Sequence, residues 1–441
     1  MSWPPYREYQ STEVPGVGPV PADWTVTRMD KHLRYEKRQV STELMAGEEV
    51  FHYSIPLVQT TGTGEVQDGN SIDSNKLKID REVVLISKLN PRKATVCRAE
   101  PQDRLTVCST EFVPLTVQGM DSKFLYYVVT SDPYRQRLES MVESVTRSHQ
   151  RVAPANIYRF WWAIPPRAVQ RQIVSFLERE TAKIDALVAK QEQLIATLRE
   201  DRTATITHAV TKGLDPEAEM RASGVEWLGD IPLHWKHSFV KFACATLPGY
   251  AFKSESFTND PADIRLLRGA NVGVDRIDWT DVVRWPHCEA AAFAAYELEQ
   301  GDIVMGLDRP FIGAGIRVSR IGADDIPSLL LQRVLRLRAV DPFDQDYLFY
   351  LLTGPGIVHH LTPMFTGVSV PHVSPDQVGS FPLPQPPKTE QRQIVTHLKK
   401  RCTQIDELIG KAKESVEILG EYRSGLITDA VTGKIDVRRA V

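Results

Sequence analysis

The side chains able to do chemistry are scattered along this chain at spacings that support none of the common reactions. His359 and His360 are adjacent, so on a helix they would face different ways, and no carboxylate stands at ligand spacing from them. That favours a structural role over a metal site. Gly62-Thr63-Gly64 and Gly313-Ala314-Gly315 fall short of the GxGxxG fingerprint, and no GxxxxGK[ST] loop occurs. Ser131-Asp132-Pro133-Tyr134 lacks the second proline of an amino-methyltransferase Asp-Pro-Pro-Tyr motif and reads as a turn beside a helix. No Glu-x-Lys pair of the restriction-nuclease kind occurs. Cys97, Cys108, Cys244, Cys288 and Cys402 are odd in number, widely spread and without a CxxC pair, so neither a zinc site nor a disulfide framework is indicated. The sequence points away from catalysis and metals, and towards binding.

Binding has better support. The net charge is −3, so no global basic excess advertises nucleic acid. Local clusters exist nonetheless. Residues 76–104 carry Lys76, Lys78, Arg81, Lys88, Arg92, Lys93, Arg98 and Arg104 against four acids, and residues 309–338 carry Arg309, Arg317, Arg320, Arg333, Arg336 and Arg338 against two. Phosphate neutralisation needs only such local groups. Arg, Asn and Gln near turns are also the side chains that match base edges with two hydrogen bonds. The candidates are Asn90, Arg92, Arg98, Arg268, Asn271, Arg309, Gln332 and Arg333. For any one of them alone, a solvated surface position is the simpler reading.

These candidates lie in the two segments that precede the two copies of one long element. Residues 165–215 align without a gap to residues 386–436, and about 21 of 51 positions are identical. Apolar residues recur at three- and four-residue steps in both: Ile173, Leu177, Ile184, Leu187, Leu194 and Leu198, then Ile394, Leu398, Ile405, Leu408, Val416, Leu419 and Ile427. This is a helical period close to a heptad. About 43 uninterrupted residues in the first copy make a rod of roughly 64 Å. Gly410, Gly420 and Gly425 weaken the second copy locally. A narrow apolar stripe on so long a helix needs a partner helix, and the other copy supplies it, antiparallel so that the chain returns on itself. His208 has Asp429 as its counterpart and reads as a surface residue.

The segments around the helices repeat as well. Pro21-Ala22-Asp23-Trp24 matches Pro232-Leu233-His234-Trp235, with the tryptophans as anchors. Residues 81–91 resemble 301–310, residues 124–130 match 347–353, and Val152-Ala153-Pro154 matches Val373-Ser374-Pro375. Short β-like runs at 83–86 and 104–107, a helix over 123–141 and a strand over 158–164 make the first domain α+β. The expected plan is therefore an α+β globule over 1–165, a helix over 166–215, a second globule over 216–385 and a second helix over 386–441. Between the anchors the two globules differ almost completely, which suggests related tasks with different targets. The opening MSWPPYREYQ lacks the apolar core of a signal peptide, and no apolar run approaches the ~20 residues of a membrane span, so a cytoplasmic protein is expected.

The doubled Pro-Pro-x-x-x-Gln-Arg-x-Ile-Val…Ile-Asp-x-Leu helix, the run Ile206–Asp215 and the run Ser223–Trp235 resemble the specificity (S) subunit of type I restriction-modification systems. The resemblance spans nearly the whole chain, with its motifs in order in both halves. The opening departs from it, having Gly16-Val17-Gly18-Pro19-Val20 in place of Gly-Val-Glu-Trp-Leu-Gly. The resemblance implies two target recognition domains separated by an antiparallel coiled coil, each reading one half of a split double-stranded DNA target. It implies a non-catalytic chain that docks two methyltransferase (M) subunits and restriction/translocase (R) subunits, with no membrane. It implies no cofactor here, S-adenosylmethionine and ATP/Mg belonging to the partners. The polar residues shared by the two helices, Gln170 with Gln391, Arg171 with Arg392, Asp185 with Asp406 and Arg202 with Arg423, are then assigned to helix capping and the subunit interface. The competing expectation is a coiled-coil scaffold whose globules bind proteins.

Overall fold

The computed structural model describes residues 3–14, 16–146, 149–313, 315–365 and 371–439. The chain forms two compact units, residues 1–192 with 413–441, and residues 193–412. The long helices are α1 (Arg167–Lys212) and α2 (Lys388–Val431). Each unit takes the N-terminal half of one helix with the C-terminal half of the other, which is antiparallel pairing. Both helices end on a left-handed glycine, Gly213 at φ 78° and Gly433 at φ 77°. A residue without Cβ is the usual way to turn out of a helix.

Each unit carries one α+β domain built on the same antiparallel sheet. In the first, β1 (Leu33–Tyr35), β2 (Val83–Ser87), β3 (Val96–Ala99) and β4 (Phe112–Val117) lie in the order β3-β2-β4-β1. In the second, β5 (Cys244–Pro248), β6 (Ile303–Gly306), β7 (Val318–Arg320) and β8 (Val334–Ala339) lie in the order β5-β8-β6-β7. The register matches: Ser87 opposes Phe112 as Gly306 opposes Val334. Strands β2 and β6 are buried throughout, which is why they read as continuous apolar runs. The accompanying sheets differ, with five strands in the first domain and three in the second.

The helix ends belong to the domain cores. Ile173, Val174, Phe176 and Leu177 of α1 and Leu426, Ile427, Ala430 and Val431 of α2 share one core with Trp24, Phe124 and Leu125. Ile206, Ala209 and Val210 with Ile394, Val395 and Leu398 share the other with Trp235, Tyr347 and Leu348. The anchoring tryptophans sit alike. A Cβ on Gly433 would stand 3.3 Å from the Trp24 ring, and one on Gly213 would stand 3.2 Å from the Trp235 ring.

Three local expectations are corrected. The helix expected over 123–141 is two, Ser122–Thr130 and Asp132–Glu139, because Pro133 cannot continue a helix and Ser131 is extended. The strand expected from Tyr158 begins at Trp161, Tyr158 closing a short helix from Pro154. Leu187, Leu194 and Leu408 are 46%, 45% and 50% exposed, whereas Ile184 in one unit and Ile405, Ile409 and Ala412 in the other are buried.

Candidate nucleic-acid interface

The end of the central strand is built alike in both domains. In the first, Lys88 N–H donates to Glu111 O at 2.9 Å, Val152 N–H to Lys88 O at 3.0 Å, and Asn90 N–H to Gln150 O at 2.9 Å. In the second, Leu307 N–H donates to Arg333 O at 2.9 Å, Val373 N–H to Leu307 O at 3.0 Å, and Arg309 N–H to Pro371 O at 2.7 Å. Asn90 and Arg309 are both left-handed, at φ 48° and 46°, and each precedes a proline. A left-handed residue other than glycine costs of order 1–3 kcal/mol and persists only where its surroundings impose it. The three shared backbone hydrogen bonds are what impose it here.

On this common frame the side chains differ. Lys88, Asn90, Glu111 and Arg151 of the first domain stand where Leu307, Arg309, Arg333 and His372 stand in the second. Glu111 lies 2.7 Å from the Arg151 guanidinium and 3.9 Å from Lys88 Nζ. Partial burial draws the Lys88 ammonium below its ordinary pKa against the pull of Glu111. In the second domain Arg333, left-handed at φ 69° and 61% exposed, approaches Asp308 at 3.7 Å. Arg317 donates to Val272 O at 2.8 Å and Asp308 O at 3.1 Å, with its pKa lowered by burial and then by neighbouring Arg309. Arg309 and Gln332 are exposed. Such a surface, exposed cationic and amide side chains on a backbone fixed by strands, can hydrogen-bond phosphates and base edges.

Over its full length the chain aligns with a known protein. It is 25% identical over 441 residues to the type I restriction enzyme MjaVIII specificity subunit of Methanocaldococcus jannaschii, covering 98% of this chain and 97% of that one. The chain is a homologue of the type I specificity subunits. It is also 33% identical over 190 residues to the type I restriction enzyme EcoAI specificity subunit of Escherichia coli, covering 42% of this chain and 32% of that one. A chain solved in a study of complex assembly and conformational transition of the type I R-M system shares the fold. Its TM-score is 0.72 at 16% identity, over 94% of this chain and 99% of that one. No protein-family model matches.

Placed on the structure, the DNA-contact candidates separate. Arg92, Arg309, Gln332 and Arg333 are exposed at the turns. Asn90 is there too, its Oδ1 accepting from Gln150 N–H at 3.4 Å. Asn271 is corrected: it is 2% exposed, and its amide is engaged by Arg268 N–H, Asp278 O and Asp281 O. Arg98 is held by Glu82 and Glu100, and Arg268 by Asp281 at 2.8 Å, so carboxylates offset their charge. The basic run 76–104 is therefore not one patch. Lys76 is buried against Ser74, and Arg81 and Arg104 pair with Asp80 and Glu49. Glu111, Arg151 and His372 were not singled out from sequence, and Lys88 only as a member of the basic run, although lining up the two domains strand for strand would have found them.

The shared helix residues are bound mostly within the chain. Gln170, 2% exposed, accepts from Asp121 N–H at 2.9 Å and donates to Pro165 O at 2.9 Å. Gln391, fully buried, accepts from Asp344 N–H at 2.8 Å and donates to Pro386 O at 3.0 Å. Asp121 and Asp344 each cap the helix that follows them. Both glutamines are thus corrected from interface residues to clamps between a long helix and its domain. Asp185 pairs with Arg423 at 2.8 Å in one unit, and Asp406 with Arg202 at 3.3 Å in the other. These four remain partly exposed, and Arg171 and Arg392 are exposed outright.

Proposed function

We propose that this chain is the DNA-recognition subunit of a type I restriction-modification complex, each domain reading one half of a split duplex target. The observation that carries it is the repeated frame at the end of β2 and β6, with the same backbone bonds and different exposed side chains. A shared fold delivers two different readings in just this way. The chain itself performs no catalysis in this reading. Methyltransferase and restriction subunits act beside it in the cytoplasm and carry S-adenosylmethionine and ATP/Mg. No helix among the described residues is long and apolar enough to cross a membrane. Two M subunits would dock along α1 and α2, where Arg171 matches Arg392 and exposed Leu187 matches exposed Leu408.

Methylome sequencing of a host with and without the gene tests the reading. A split motif that disappears with the gene is expected, and an unchanged methylome would end the proposal. In purified complex, Arg92→Ala is expected to weaken DNA binding evenly across sequences and to lower the salt slope by about 1.

A further inference from the structure

Beside the Arg333 turn the second domain holds an aromatic cluster with one ring turned outward. Tyr250 is 41% exposed, yet its ring centroid lies 5.0 Å from that of Phe252, 4.9 Å from Phe293 and 5.4 Å from Tyr296. Phe252 and Phe293 pack in turn on Trp285, at 4.9 and 5.5 Å. The backbone ties this ring to the turn. Tyr250 N–H donates to Leu330 O at 3.0 Å, Gln332 N–H donates to Tyr250 O at 2.8 Å, and Gly249 N–H donates to Val334 O at 2.9 Å. A Cβ on Gly249 would stand 2.1 Å from Leu331 O, so only glycine allows the two segments to run this close. A rigid aromatic face, an amide and a guanidinium on a strained backbone are thereby fixed on neighbouring residues.

Phosphate binding needs none of this specificity of type. An amide that both donates and accepts matches the adenine edge, a guanidinium matches guanine O6 and N7, and an apolar ring face accepts the thymine methyl. Building on the DNA-recognition reading, we infer that Tyr250, Gln332 and Arg333 are the base-reading residues of the second domain. Arg333 contacts a G·C pair, and Gln332 with Tyr250 contacts an adjacent A·T pair.

The test uses the complex assembled with its modification subunits. Its motif is first established by methylome sequencing, and binding is then measured on duplexes carrying single base-pair changes in each half. Gln332→Ala and Arg333→Gly are each expected to lose about 5- to 150-fold of discrimination at one base pair, both within the same half. The other half should be untouched. Gln332→Glu, nearly isosteric, should shift preference from adenine towards cytosine. Arg333→Gly relieves the left-handed backbone, so its melting temperature should not fall, which separates lost reading from lost folding. Uniform weakening on all sequences, an unchanged motif, or effects in both halves would each overturn the inference. A wild-type complex with no split preference would instead remove the recognition reading beneath it.

Discussion

Gln391 is the residue on which the join between helix and domain can be tested. Its Oε1 is the acceptor for Asp344 N–H, and its Nε2 also donates to Pro342 O. Gln391→Ala removes that acceptor from a buried amide, so a loss of about 1–3 kcal/mol is expected in denaturant melts, and Gln170→Ala should behave alike. A change within error would show that water replaces the glutamine. His52 gives a pH signature. It is 7% exposed, Nδ1 faces Gln67 Oε1 at 2.9 Å, and burial pulls its pKa below 6.5 despite that bond. The unfolded chain then binds more protons in the window between the lowered value and 6.5, so stability falls as pH drops through it. His52→Gln should flatten the melting temperature over that range. The sequence marked Gln391 through its match with Gln170 but not the partners it would clamp, and a lone His52 carries no periodic signal, because the burial of polar groups depends on what the fold brings to them.

The long helices were the most legible elements. Their apolar steps set type and length to within a few residues, and their repetition set the pairing. The face was less legible. A continuous stripe was read through Leu187 and Leu408, but the helix ends turn towards domain cores through Phe176, Leu177, Ile394 and Leu398. A helix serving two surfaces need not keep one seam, and 3.6 residues per turn drift against a heptad in any case. The glycines of α2 did not break it. A Cβ at Gly410, Gly420 or Gly425 meets nothing within 4 Å. Each Gly→Ala change is therefore expected to raise stability by about 0.4–1 kcal/mol in thermal or denaturant unfolding. A loss at any of them would mean that the helix needs its flexibility there. For the Asp185–Arg423 pair, 56% and 37% exposed, a double-mutant cycle should return only about 0.2–1 kcal/mol.

At the scale of the whole molecule, duplication was plain in the sequence, and the positions proposed to read bases were not. Matching anchors such as Trp24 and Trp235 lie in cores, where packing restricts what can change. Arg309 and Asn90 lie on turns, where side chains differ freely between the copies, so nothing in their local pattern marks them. If α1 and α2 act as a spacer, one heptad inserted into each adds about 10.5 Å. The unread gap in the target should then lengthen by roughly three base pairs at ~3.4 Å each. An unchanged gap in the methylome of the variant would exclude a ruler. The backbone bonds that hold Asn90 and Arg309 have a consequence for how such a protein changes over generations. In the second domain they fix the turn without help from the exposed Gln332 and Arg333 side chains, so if those side chains read the target, substitutions there are expected to alter affinity for a sequence while leaving the fold intact. Inheritance of a new target would then require point changes at a handful of positions rather than a new domain. The molecule would in that sense be free to change at the turn while the backbone frame beneath it, shared by both domains, stays the same.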